Sequence, residues 1–125
     1  MALTFPDTLN GVRALCKPHG KTYVQLPSDY VTKGLPAYLL YRTGGTQQGP
    51  FREDRITIET YADGPAATYE AANKVHDALV DAWHDVDGVG LIDNIAVQTV
   101  PTEIPAEDGT LRTVTATYRV TVRGL

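Results

Sequence analysis

The sequence predicts one α+β domain, spanning residues 1–125: a mainly antiparallel β-sheet with two helices packed on one face, in the order α-β-β-β-α-β-β. Two stretches repeat apolar residues at helical spacing, and alternating stretches lie between and after them. Strands with one polar face are typical of antiparallel sheets, whereas buried parallel strands are apolar on both faces. The length of 125 residues is that of a single domain.

The composition is that of an ordinary globular protein, with 42% apolar and 21% charged residues. The net charge of −4 argues against free duplex DNA or an anionic membrane as a ligand, because both require a basic surface. No stretch approaches the roughly 18 apolar residues of a membrane-spanning helix. Cys16 is the only cysteine, so we expect no intrachain disulfide and a protein that folds in a reducing cytosol.

The first elements follow from local signals. Asp7 can cap a helix over 7–17, and Pro18 ends it. Residues 21–26 alternate and predict a strand, and residues 35–42 are rich in aromatic and branched residues and predict a second strand.

The middle of the chain combines a predicted loop with a clear strand. Residues 43–50 contain three glycines and a proline, which predicts a mobile connection within a long 43–54 segment. Residues 55–61 alternate strictly, with Ile56 and Ile58 on one side, and therefore predict a half-buried strand.

A long helix is predicted from Pro65 to a stop at Gly88. Glu70 and Lys74 are spaced to pair on its outside. One apolar stripe at helical spacing is formed by Ala72, Val75, Leu79, Ala82, Trp83 and Val86. An acidic row on a different face is formed by Asp77, Asp81 and Asp85.

Two further strands are predicted at 94–100 and 113–123, joined by the proline-containing connection 101–110. The last strand places valines, Ala116 and Tyr118 on one face and threonines and arginines on the other. The helices cover only the apolar face in this arrangement, so we expect water or another chain on the threonine- and arginine-bearing face.

Candidate catalytic, cofactor and metal sites are weak. Residues 44–49 match the glycine frame of a phosphate loop, but Pro50-Phe51 stands where Lys and Ser/Thr should follow. Cys16 and His19 could form a thiolate–imidazole pair, but no third residue that orients the histidine can be named. His84 lies three residues from Asp81, so the two could contribute to a metal site. We interpret this acidic helix face as solvated instead, because nothing there would raise the pKa of a carboxylate. We therefore predict no catalytic residue, no metal and no cofactor.

The runs Asp54–Asp63 and Pro65–Leu79, followed by the closing strand Thr113–Arg123, resemble the tail terminator and tail completion proteins of long-tailed bacteriophages. The resemblance extends from about Leu35 to the end of the chain and lies in the order and pattern of the elements. It implies a sheet flanked by helices and a ring, usually of six copies, on the end of the tail tube. Such a ring stops tube growth and offers a surface to the filled head.

The resemblance implies three protein partners: further copies of the chain, the tail tube protein and a head-completion or connector protein. DNA would pass through without specific binding, and the location would be the head–tail junction of the virion, after assembly in the host cytoplasm. The residues expected at subunit or partner interfaces are Arg52, Glu53, Arg55, Asp77, Asp81, Arg119 and Arg123. The residues expected to line the lumen are Glu103, Glu107 and Asp108, whose charges would repel phosphates.

Three other hypotheses remain open from the sequence. The chain could be another connector component of the head–tail junction, or a tube-like subunit that polymerises. It could also be a small-molecule binding module or an enzyme that uses the polar sheet face as a pocket.

Overall fold

The computed structural model describes residues 3–104 and 111–125, with the backbone alone at 111 and 112. The helices are α1 (Thr8–Cys16), a 3-10 turn (Lys17–His19), α2 (Tyr30–Lys33) and α3 (Pro65–Leu79). The strands are β1 (Lys21–Tyr23), β2 (Ala37–Gln48), β3 (Phe51–Asp63), β4 (His84–Val86), β5 (Gly90–Ile92), β6 (Asn94–Ile104) and β7 (Leu111–Arg123).

Five strands form the main sheet in the order β1-β2-β3-β7-β6, and β4 and β5 form a separate small hairpin. All neighbours in the main sheet are antiparallel except β1, which runs parallel to β2. The chain is therefore α+β with a mainly antiparallel sheet, as the sequence predicts. The short α2 and the β4–β5 hairpin are additional to the predicted order.

α1 and α3 bury their apolar sides against the same face of the sheet, the inner face. On the opposite, outer face the ring of Tyr30 from α2 packs against that of Tyr61, with 5.3 Å between the ring centres, and neither α1 nor α3 covers this face. Burying these apolar side chains supplies the main favourable term in folding. The buried cluster includes Val12 and Cys16 from α1, Val75 and Leu79 from α3, and Tyr38, Leu40, Ile56, Ile58, Ile95, Tyr118 and Val120 from the sheet.

Two helical predictions are confirmed in detail. Asp7 caps α1, because its carboxylate accepts the backbone N–H of Asn10 at 3.2 Å. On α3, Lys74 and Glu70 form the predicted surface pair, with 3.4 Å between nitrogen and oxygen.

The prediction that α3 continues to Gly88 is wrong. The helix ends at Leu79, Val80 is extended, and Asp81 takes a left-handed conformation with φ 57°. The Asp81 N–H donates to the Ile95 carbonyl at 2.8 Å, so the edge of β6 binds a backbone group that a continuing helix would need. The Asp-Gly pair after Val86 forms the turn of the β4–β5 hairpin.

This early helix end also corrects the apolar stripe and the acidic row. Trp83 leaves the core and is 69% exposed, whereas Val86 is buried from β4. Asp77 lies on α3, Asp81 lies beyond its end and Asp85 lies on β4, so the three carboxylates do not share one helix face.

The predicted loop over 43–50 is wrong as well. β2 continues to Gln48, and only Gly49 and Pro50 separate it from β3. The glycines permit this extension: Gly44 follows a β-bulge with φ 128°, and a Cβ on Gly45 would overlap the carbonyl oxygen of Glu53. The two paired strands form an arm, residues 43–54, whose β2 side is exposed.

The other differences concern strand ends. The strand predicted over 21–26 pairs only at 21–23, and β6 extends through 101–104 into the predicted connection. Residues 105–110 lie outside the described residues. None of the described helices is long and apolar enough to cross a membrane.

Candidate assembly surface

The outer face is a packed layer of polar side chains from β3 and β7. Thr57 and Thr117 face each other in register, with 2.9 Å between their hydroxyl oxygens. Thr57 is only 5% exposed, although no helix covers it. The threonine side chains of this layer therefore bury one another and form hydrogen bonds between neighbouring strands.

Arg55 and Arg119 stand directly opposite each other on this face. Like charges in that position destabilise a sheet unless an anion lies between or above them. Neither guanidinium forms an ion pair with any residue in the two described ranges. Glu53, the next outward residue of β3 towards the arm, is half-buried and also forms no ion pair there. The two arginines are therefore like charges in register that form no ion pair with a described residue.

A second feature of the outer face is a carboxylate held between two tyrosines. The hydroxyls of Tyr41 and Tyr61 donate to Glu59 at 2.6 and 2.8 Å. The hydrogen bond to Glu59, with burial and the carboxylate charge, raises the pKa of Tyr41 to about 12. Burial, together with Glu59, raises the pKa of Tyr61 as well. Glu59 thus takes its hydrogen bonds from two phenols and forms no ion pair with either arginine.

The other two predicted interface arginines are paired within the chain. Arg123 binds Asp93 through two bonds of 3.0 Å, and this contact raises its pKa. Arg52 lies on the inner side of the arm, where its Nε donates to the buried carboxylate of Asp54 at 3.0 Å. Its guanidinium also lies 5.8 Å from the centre of the Phe5 ring. Arg52 and Arg123 thus stabilise the arm and the closing strand.

Asp77, Asp81 and Glu103, three of the predicted acidic residues, are exposed and lie on different parts of the fold. Asp77 lies on α3, and Asp81 lies in the segment between α3 and β4, on either side of the helix end. Glu103 is exposed next to the last residue of β6, at the opposite end of the sheet from the arm. Glu107 and Asp108 lie outside the described residues, so the predicted lumen lining stays a prediction.

Sequence reasoning missed Trp83 and the Glu59 cluster. Trp83 was assigned to the core because it continues the helical stripe, but the Asp-Gly pair at 87–88 is a hairpin signal that contradicts so long a helix. Glu59 and Tyr61 lie two apart on a strand that the sequence predicts, so their shared face was available from alternation alone. Tyr41 lies on β2, and the pairing of β2 with β3 brings its hydroxyl to Glu59.

The thiolate–imidazole hypothesis does not fit the structure. Cys16 is fully buried, and burial raises its pKa to about 12, so the thiol stays protonated at neutral pH. Within the described residues no group of three or more metal-ligating side chains comes together. The glycine frame at 44–49 belongs to the paired arm, so it is not the loop before a helix that phosphate binding requires.

Open cavities of about 370 to 450 Å³, the size of small-ligand sites, lie at four places among the described residues. They lie against Phe5 and Leu91, against Tyr38 and Ala71, against Gly45 and Arg52, and against His19 and Gly34. None of the four is lined by Thr57, Thr117 or Arg119 of the outer face, where the binding-module hypothesis placed its pocket.

No protein-family model and no curated protein matches the chain. Among solved structures, the fold is similar to that of a chain from the virion of a native gene transfer agent (GTA) particle. The alignment covers 90% of this chain and 84% of that chain, with a TM-score of 0.57 and 21% sequence identity. The similarity shows a shared fold along nearly the whole chain.

Proposed function

We propose that the protein is a structural component of a virion, and that it closes as a ring on the end of a tail tube and joins the tail to the head. The observation that carries this proposal is the shared fold with a virion chain over 90% of the residues. The strand and helix pattern from Asp54 to Leu79, which resembles tail terminator proteins, supports the finer role.

The surface of the chain also favours assembly. The outer sheet face, which α1 and α3 leave uncovered, carries an arginine pair that forms no ion pair with a described residue, and the β2 side of the arm is exposed. A ring with heterologous contacts needs two different patches on each subunit, and the arginine pair beside the exposed arm is one candidate patch. The net charge of −4 is compatible with a channel through which DNA passes without being held.

The test is the size and shape of the purified protein in solution. Light scattering and negative-stain electron microscopy should show closed rings that dissociate as salt is raised, because the proposed contacts are between charged groups. A protein that remains monomeric at every concentration would contradict the ring.

The finer role requires the tube protein of the same particle. Tubes polymerised with the ring protein present should be capped at one end and shorter than tubes polymerised alone. Serum albumin at the same concentration is the control. Rings that decorate the sides of tubes and leave their length unchanged would contradict termination.

A further inference from the structure

Trp83 is a large aromatic residue presented to solvent by an ordered segment. It is 69% exposed, yet the chain is fixed on both sides of it. Before it, the Asp81 N–H donates to the Ile95 carbonyl at 2.8 Å; after it, a ring nitrogen of His84 donates to the Leu79 carbonyl at 3.0 Å. An aromatic side chain held in this way loses little conformational entropy when it binds, as is typical of interface hot spots.

The residues around Trp83 give this segment a negative charge. Asp81 and Asp85 are both exposed, and neither forms an ion pair with a residue that the structure describes. We call residues 81–85 the Trp83 turn. It lies beside the β6 edge of the sheet.

The arginine pair on the outer face has the complementary chemistry. Arg55 and Arg119 are in register and lack an acidic partner among the described residues. A guanidinium binds carboxylates through paired hydrogen bonds and stacks on the face of an indole. An aromatic residue flanked by two carboxylates offers the arginine pair both interactions: carboxylates for paired hydrogen bonds and an indole for stacking.

We propose that the Arg55–Arg119 pair of one copy binds the Trp83 turn of the next copy. The inference rests on the proposed ring, and it names the contact that closes it. The two surfaces are different, one on the outer face and the other beside the β6 edge, so their contact is heterologous and can close into a ring. Trp83 is the central anchor, and Asp81 and Asp85 pair with the arginines around it.

Trp83 is the only tryptophan in the chain, so its fluorescence reports this contact directly. Diluted monomers should show strong quenching by acrylamide. At concentrations where light scattering shows rings, quenching should fall several-fold and the emission should shift to shorter wavelength. Rings in which Trp83 is quenched as strongly as in the monomer would overturn the contact and leave the ring itself standing. Monomers at every concentration would overturn both.

Charge reversal tests the pairing. The double variant R55E/R119E should associate about 30-fold more weakly, the effect of losing one interface hot spot, with Trp83 exposed. The double variant D81K/D85K should do the same. Chains that carry all four substitutions should recover rings and shielded tryptophan. Failure of the fourfold variant to recover association, with each monomer folded by circular dichroism, would overturn the pairing.

A matched control and a milder variant keep the test interpretable. Lys17 and Lys21 are exposed, so K17E/K21E makes the same change in net charge at another site and should leave association unchanged. If R55E/R119E fails to fold, R55Q/R119Q removes both charges without adding acids. Rings of R55Q/R119Q as stable as those of the natural sequence would overturn the proposal.

Discussion

At the scale of single residues, the threonines of the outer face bury polar atoms although neither α1 nor α3 packs on them. The Thr57 and Thr117 hydroxyls satisfy each other at 2.9 Å. Thr115, the next outward residue of β7, has a buried hydroxyl oxygen with no hydrogen-bond partner among the described residues. Thr115 and Thr117, on one face of β7, therefore differ in whether the hydroxyl has a hydrogen-bond partner.

This difference predicts opposite effects of one substitution. Thr117→Val should lower the free energy of unfolding by about 1–3 kcal/mol, because it leaves the buried Thr57 hydroxyl unpaired. Thr115→Val should be neutral or stabilising, because it removes a polar atom that is already unpaired. Urea unfolding of the two variants measures both effects. Equal losses of stability would show that the Thr57–Thr117 contact contributes nothing.

The Glu59 cluster predicts a pH dependence at Tyr41. The folded state raises the phenol pKa from 10.0 to about 12, so it holds the proton more tightly than the unfolded chain does. This contribution to stability is complete below pH 10 and is lost as the pH rises towards 12. Glu59→Gln removes the carboxylate charge and should lower the Tyr41 midpoint, as measured by NMR of labelled tyrosine.

The control for this titration is within the same protein. Burial is the largest cause of the raised pKa of Tyr118, and Glu59 does not contribute to it. Its titration should therefore be the same in both proteins. A Tyr41 midpoint that does not move in the Glu59→Gln variant would contradict the assigned hydrogen bond.

At the scale of elements, the sequence predicts what local chemistry decides. α1 has a capping Asp7 and a terminating Pro18, and β7 alternates over its whole length, so both were found. The end of α3 and the arm depend on distant partners. α3 stops because Asp81 finds a carbonyl on β6, and the arm is paired because glycines let β2 lie close to β3. Neither the β6 carbonyl nor the close approach of β2 to β3 can be identified from the neighbouring residues in sequence. Tertiary contacts therefore override the local sequence pattern at the end of α3 and in the arm.

The α1 cap gives a prediction at this scale. Asp7→Ala should lower the free energy of unfolding by about 1 kcal/mol, because the Asn10 N–H loses its acceptor. The exposed ion pair between Asp7 and Arg42 adds little. Asp63→Ala is the matched control: Asp63 is exposed, and Gly64 rather than Asp63 occupies the cap of α3. Thermal unfolding by circular dichroism should show a lower midpoint for Asp7→Ala only.

At the scale of the whole molecule, strand order creates the candidate site. Arg55 and Arg119 are far apart in sequence and become neighbours because β3 pairs with β7 at the centre of the sheet. The sequence predicts that each faces outwards, but register alone decides that they meet. Asp93 likewise neutralises Arg123 through a contact between distant residues that alternation does not predict, whereas Arg52 and Asp54 lie two apart on β3 and share a face by alternation. The site is therefore a property of the topology.

The same topology predicts that the chain unfolds as one unit. Leu79 is fully buried between α3 and the sheet, and the buried cluster joins α1, α3 and the central strands without a break. Leu79→Ala should lower the free energy of unfolding by about 2–5 kcal/mol through the cavity that it leaves. The loss should appear equally in the hydrogen exchange of α1 and of β7, because a cooperative domain opens both together. Leu91→Ala, at a side chain 42% exposed, is the control and should cost far less. Protection that falls in α3 alone would mean that the helices and the sheet unfold separately, and the single-domain prediction would then be wrong.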